Sequence, residues 1–233
     1  MDPIVMRPDA PSLSAFMYPA FNDTLVCRAN TRPRRGFIVL FCAFLLTLPA
    51  AGLRAAEEER IDPMDTWEFG IESGALWRVG GGGSQLDYVI LPQLLTWKTP
   101  AVSRREILGR TLVMRSRFSA LLEPFAKGPE THFVGASASG LLEYWNAART
   151  QAFFLSSGGG MGLMDSRGYD VEGAQGQDLN FHWFVYAGSR FQTRSGLALN
   201  VGAYFQHISN TGLDKVNPGI NSLGPMIGVH WRF

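Results

Sequence analysis

Beyond Cys42 the sequence contains no cysteine, and Cys27 and Cys42 are the only two it has. The segment after them cannot rely on disulfides and must be held by packing or by lipid. An excess of one charge is also missing. The 21 Lys and Arg stand against 20 Asp and Glu, for a formal net charge of +1. Nucleic-acid binding favours a strongly basic face, so that class of partner is not indicated. After Glu57-Glu58-Glu59 no segment has 18 consecutive apolar residues, which excludes helical spans there. His132, His182, His207 and His230 are scattered, without helical i,i+4 spacing or cysteine partners, so no metal is expected. The tracts Gly80–Gly83 and Gly158–Gly162 are not followed by the Lys-Ser/Thr of a phosphate loop. Gly135-Ala136-Ser137-Ala138-Ser139 is not a G-x-S-x-G elbow. No organic cofactor is expected either.

What is present begins with a leader. Arg32, Arg34 and Arg35 precede an apolar run from Gly36 to Leu48, followed by small residues at Ala50-Ala51-Gly52 and at Ala55-Ala56. The run is short of the roughly 20 residues of a spanning helix and reads as a secretory signal. We therefore divide the chain into an unassigned N-terminal extension (1–31), a signal peptide (32–56), a periplasmic tail (57–65) and a β domain (66–233). The extension is consistent with a start codon placed too early, and Met17 is one later candidate. Both cysteines fall in or before the leader.

Eight strand-length segments recur, at about 66–77, 86–97, 107–122, 131–144, 151–163, 179–191, 196–209 and 222–233. Several alternate with a period of two, which gives one apolar and one polar face. Trp67, Phe69, Ile71 and Ala75 oppose Glu68, Gly70 and Glu72. Leu108, Leu112, Met114 and Phe118 oppose Arg115, Arg117 and Ser119. Leu197, Leu199, Val201, Ala203 and Phe205 oppose Asn200, Gly202 and Gln206. Ile227, Val229, Trp231 and Phe233 oppose Gly228, His230 and Arg232. The second and fifth segments alternate poorly.

A soluble sandwich or lipocalin-type barrel would show the same period. Three features favour an eight-stranded antiparallel transmembrane β-barrel of the bacterial outer membrane. Mid-strand charges lie opposite the apolar face, as a polar lumen requires. Trp67, Trp77, Trp97, Trp145 and Trp231 fall near strand ends, where an interfacial belt would lie. The chain stops in an aromatic strand at Phe233, which resembles the assembly signal of outer-membrane proteins.

One place carries chemistry: Phe205-Gln206-His207-Ile208-Ser209-Asn210-Thr211-Gly212-Leu213, continuing to Asn217-Pro218-Gly219-Ile220-Asn221. His207 and Ser209, two apart on a strand, point to one side, where the imidazole can serve the hydroxyl as a general base. They share parity with the apolar face. On a membrane barrel that face meets lipid, which suits an enzyme whose substrate is itself a lipid. Ordinary interfacial polar residues at a strand end would give the same pattern.

From Gln206 to Arg232 the sequence resembles the lipid A 3-O-deacylase (PagL) family. The family pattern is His-x-Ser-Asn-x-Gly-Leu, then an Asn and a Gly-Ile before the last strand. The resemblance implies an outer-membrane serine esterase that removes the 3-O-linked acyl chain of lipid A. It implies His207 as base, Ser209 as nucleophile, and Asn210 with the Gly212 region at the oxyanion. Lipid A in the outer leaflet is the implied partner, and a homodimer stays open. The family places a Glu after the Gly-Ile to orient the histidine, where this sequence has Asn221. An Asn accepts a hydrogen bond from imidazole but supplies no charge; Asp214 is a nearby carboxylate. The rival reading is a non-catalytic small barrel with a structural, stress or adhesion role. A porin is disfavoured because eight strands leave an interior filled by side chains.

Overall fold

The computed structural model describes residues 62–80, 83–193 and 195–233. The leader, both cysteines and most of the acidic tail lie outside the described residues.

Among the described residues eleven strands form one closed sheet. They are β1 (Glu68–Gly74), β2 (Leu76–Arg78), β3 (Val89–Ile90), β4 (Gln93–Lys98), β5 (Ser103–Ile107), β6 (Arg110–Lys127), β7 (His132–Trp145), β8 (Gln151–Met164), β9 (Leu179–Gln192), β10 (Leu197–Ser209) and β11 (Ile220–Arg232). They make eight staves. β1 with β2 is the first, β3 with β4 the second, and β6 to β11 the remaining six. Each stave pairs antiparallel with the next, and β11 returns to the first through Phe69↔Trp231 and Leu223↔Trp77. Closure leaves the barrel without sheet edges, the condition for strands in lipid. The eight expected segments correspond to these staves, with shifted ends.

Two irregularities account for the segments that alternate poorly. In the second stave Pro92 has no N–H to donate, and pairing slips between Val89 and Ile90. In β8, Gly158 and Gly160 point inward where a Cβ would lie 2.2 and 2.0 Å from the carbonyl oxygens of Ala138 and Ala136. Only glycine allows the sheet to close that tightly.

β5 was not expected. After a break at Thr99–Val102 it continues the edge of β4 along β6, with Ser103↔Met114 and Ile107↔Arg110. β5 runs past the start of β1, while the β6 arm of the hairpin stays paired with β7 through Thr111↔Trp145. Leu108 is therefore a correction. It is not part of an apolar strand face but the tip of the turn, 93% exposed with φ +53°.

Outward positions carry Trp67, Trp77, Trp97, Phe118, Trp183 and Ile227, all substantially exposed, as an apolar band should be. Register sets Phe118, Trp97, Phe69, Trp231 and Leu197 in one row near the end that holds both the start of β1 and the close of β11. Trp145 does not belong to that belt. It is fully buried in the lumen, donates from Nε1 to Glu143 Oε2 at 3.1 Å, and lies under the Arg190 guanidinium.

The lumen is densely charged in one half, whereas the other is mostly apolar and buries Glu123, which accepts from Gln206 Nε2 at 2.8 Å. Toward the terminal end Glu68 pairs with Arg115 at 2.8 Å and Arg190 at 2.7 Å, and Glu72 with Arg117 at 2.5 Å. All five side chains are buried. A buried charge is tolerated only when paired and hydrogen-bonded, and these are. Toward the other end Leu94, Leu121, Phe133, Phe184, Tyr186 and Tyr204 fill the lumen. Side chains must pack against one another in so narrow a bore, and apolar ones do so there.

Candidate active site

At the apolar end the loops are tied to one another. Ser84 N–H donates to Gly219 O at 2.7 Å, and Val79 N–H to Asn221 O at 3.0 Å. Tyr88 Oη donates to the buried Glu130 at 2.9 Å, whose other oxygen accepts from Gln175 N–H at 2.8 Å. The 83–88, 128–131, 165–178 and 210–219 loops thus hold each other, and the last of them bears on His207.

His207 stands on the outer face of β10, in line with Leu199, Val201, Ala203 and Phe205. Cross-strand pairing places Asn221 on one side of it and Trp183 on the other. His207 Nδ1 lies 2.7 Å from Asn221 Oδ1. An amide oxygen only accepts, so Nδ1 carries the hydrogen and Nε2 keeps its lone pair. The Trp183 ring lies 6.0 Å away, centroid to centroid, and itself packs at 5.1 Å on Phe205. Gly219, at φ +71°, passes beneath the imidazole; a Cβ there would stand 2.9 Å from His207 Cε1. The backbone can approach that closely because the residue is glycine.

Ser209 follows two residues on, opposite Phe181, with the parity of His207 but only 9% exposed. No hydrogen bond joins its hydroxyl to His207 among the described residues. Such contacts are often long until substrate is bound.

Asn210 and Gly212 shape the loop. Asn210 is fully buried. Its Nδ2 donates to Val216 O at 3.0 Å, its Oδ1 accepts from Gly212 N–H at 3.0 Å, and its own N–H donates to Asn217 Oδ1 at 2.9 Å. Gly212 therefore has its N–H committed, and serves the turn at φ +84°. Asp214 is turned away from the histidine. Its Oδ2 accepts from Tyr169 Oη at 2.8 Å, which holds that phenol above its ordinary value, and its Oδ1 accepts from Val216 N–H at 2.7 Å. Of the candidates, His207 and Asn221 are in contact, Ser209 is beside them, and Asn210 and Gly212 support from the loop. Among the described residues no three His, Cys, Asp or Glu side chains form a metal cage.

Sequence reasoning missed Trp183 and Gly219. Trp183 comes from another strand and is placed by register alone. Gly219 entered only as part of the Gly-Ile of the family pattern, with nothing to say that it would lie under the imidazole.

No curated protein matches this chain. Among solved structures, the crystal structure of the outer membrane enzyme PagL is similar at 19% identity and a TM-score of 0.46, covering 69% of this chain and 97% of that one. The backbone structure of the Yersinia pestis outer membrane protein Ail is similar at 17% identity and a TM-score of 0.33, covering 72% and 100%. The family model for lipid A 3-O-deacylase (PagL) matches residues 95–230, more than half of the chain, with Trp183, His207, Ser209, Gly219 and Asn221 all inside the match. The chain belongs to the lipid A 3-O-deacylase (PagL) family.

Proposed function

We propose that the protein is an outer-membrane serine esterase that removes the 3-O-linked acyl chain of lipid A. The observation that carries this reading is the His207–Asn221 contact at 2.7 Å on the outer wall, with Ser209 next along the same face. Barrels of this kind have short periplasmic turns and longer outer loops. The connections at the terminal end include the short 146–150 and 193–196, whereas the site end has the long 79–88, 165–178 and 210–219 beside the short 128–131. The site end then faces outward, level with the outer leaflet. Lipid A reaches the wall by lateral diffusion.

Ser209 Oγ attacks the ester carbonyl carbon while His207 Nε2 takes its proton. The tetrahedral intermediate collapses, and the sugar 3-oxygen leaves with the proton returned by Nε2. A water then attacks the acyl-serine, again giving its proton to Nε2. The fatty acid departs and Ser209 regains its hydrogen. Asn221 keeps the imidazole in the tautomer whose Nε2 is free. Asn210 and Gly212, which the family resemblance puts at the oxyanion, we assign to holding the 210–219 loop beside Ser209, since Asn210 is fully buried and the Gly212 N–H is committed to it.

Mass spectrometry of lipid A from cells expressing the protein tests this. Ser209→Ala and His207→Ala should each abolish loss of the 3-O-acyl chain while the barrel still migrates in its heat-modifiable form. Deacylation retained by either variant would move the chemistry elsewhere. Intact lipid A in cells with the wild-type barrel would favour the non-catalytic reading.

A further inference from the structure

The β5–β6 hairpin carries charge that the fold does not use. Register puts Arg105 opposite Leu112 and Ile107 opposite Arg110 on its outward face, and Arg104 and Glu106 on the other. The residues of that other face are engaged. Arg104 pairs with Asp62 and Asp65, and Glu106 accepts from Thr111 at 2.8 Å. Arg105 and Arg110 have no ion pair or hydrogen bond among the described residues, and both are exposed. The Arg110 guanidinium lies over the Tyr144 ring, 5.5 Å from its centroid. Tyr144 Oη donates to Ile107 O at 3.1 Å, which pins the hairpin against β7. Arg110, Tyr144, Gln151 and Phe153 line a cleft of about 270 Å³. Below it the outer wall continues in exposed Phe153, Leu142 and Leu155.

Arg110 thus lines a cleft that opens onto exposed apolar wall, and Arg105, across β6 on the same outward face, adds a second unpaired cation. We propose that this cleft binds the headgroup phosphate of an anionic glycerophospholipid of the inner leaflet. Arg110 would hold the phosphate oxygens, Arg105 would add attraction from the same outward face, and an acyl chain would lie along Phe153 and Leu155. Arg presents a planar fork suited to phosphate, and basic residues at a membrane surface attract anionic lipid. The exposed Leu108 at the hairpin tip enters the same interface. The inference rests on the membrane orientation given above and not on the esterase chemistry.

Native mass spectrometry of the refolded barrel, released from detergent with equal amounts of phosphatidylglycerol and phosphatidylcholine, reads the site directly. Phosphatidylglycerol adducts should exceed phosphatidylcholine adducts by about tenfold. Arg105→Gln with Arg110→Gln should bring the ratio to about one, whereas Lys127→Gln, at the opposite end, should leave it as in wild type. Heat-modifiable migration reports that each variant is folded. Equal retention of the two lipids by the wild type, or an unchanged preference in the double variant, would overturn the proposal. So would displacement of phosphatidylglycerol by millimolar inorganic phosphate, which would mark a site for free anions. Deacylase activity is a separate readout, so failure of one reading leaves the other standing.

Discussion

Replacing Asn221 separates an orienting group from a bystander. Its Oδ1 accepts from His207 Nδ1 at 2.7 Å, and both residues are half-buried. A neutral hydrogen bond contributes about 1 kcal/mol, and one to a charged group about 1.5–3 kcal/mol. Asn221→Ala removes the bond and frees the ring to rotate. At about 1–2 kcal/mol, with roughly 1.4 kcal/mol per tenfold, kcat/KM should fall about five- to thirtyfold. Asn221→Asp keeps the shape and adds the charge that the family supplies through Glu. The carboxylate stabilises the imidazolium formed as Ser209 is deprotonated, so kcat should rise by a similar factor. The added charge also favours the protonated ring before reaction, so the acid limb of the pH–rate profile should move to higher pH. The assay is the time course of 3-O-acyl release from purified lipopolysaccharide by the refolded barrel. Asn221→Ala within twofold of wild type would refute the orienting role. An Asn221→Asp variant with neither a faster rate nor a shifted limb would show that this side chain does not touch the base during reaction.

Gly219→Ala puts a methyl 2.9 Å from His207 Cε1 and forces a left-handed backbone on alanine, so activity should drop tenfold or more while the unfolding free energy falls by only about 1–2 kcal/mol. Unaltered activity would mean that the ring position does not depend on that turn. Arg115→Ala removes the ion-pair partner that Glu68 and Glu143 share, leaving Glu68 to Arg190 and Lys98 and Glu143 to the Trp145 N–H, and should destabilise the barrel by about 3 kcal/mol in urea titration of the refolded protein. A change under 1 kcal/mol would show that the inner charges are hydrated. Phe233→Asp keeps the N–H bond to Trp67 O at 3.1 Å but removes the terminal ring. It should reduce the heat-modifiable fraction more than the total exported protein; equal yields would show that the ring is not read during assembly.

Parity made most of the barrel legible before any coordinates. Glu68, Glu72, Arg115 and Arg117 lie in the lumen as their alternation indicates, and His207 lies on the outer wall with Phe205. Where parity fails, the physical reason is visible. In β9 the inward Phe184 and Tyr186 and the outward Trp183 and Val185 are all aromatic or aliphatic, because the lumen at that height is lined by rings that pack under the Arg117 guanidinium. Polarity cannot then tell inside from outside. β5 is exposed along its length, so burial imposes no period on Ser103–Ile107. Trp145 follows Glu143 by two residues, and that spacing places it inward. Nearness to a strand end had suggested the belt instead. The His207–Asn221 contact depends on the register of β10 and β11. That register is set by the loop between them, and no alternation pattern carries it.

The carboxylates of the first stave bear on how the barrel is made. Glu68 meets Arg190 across 122 residues of chain, and Glu72 meets His230 across 158. Their other partners, Lys98, Arg115 and Arg117, come from the second and third staves. The first three staves can pair both glutamates, but Arg190 and His230 reach them only when the last staves arrive. Until then the network is incomplete and its unpaired members must stay in water, because burying an unpaired charge is costly. Dehydration of the interior and completion of its ion pairs therefore coincide in the final step. A barrel stalled one strand short keeps a wet, charged seam, which opposes its entry into lipid until the first and last strands meet.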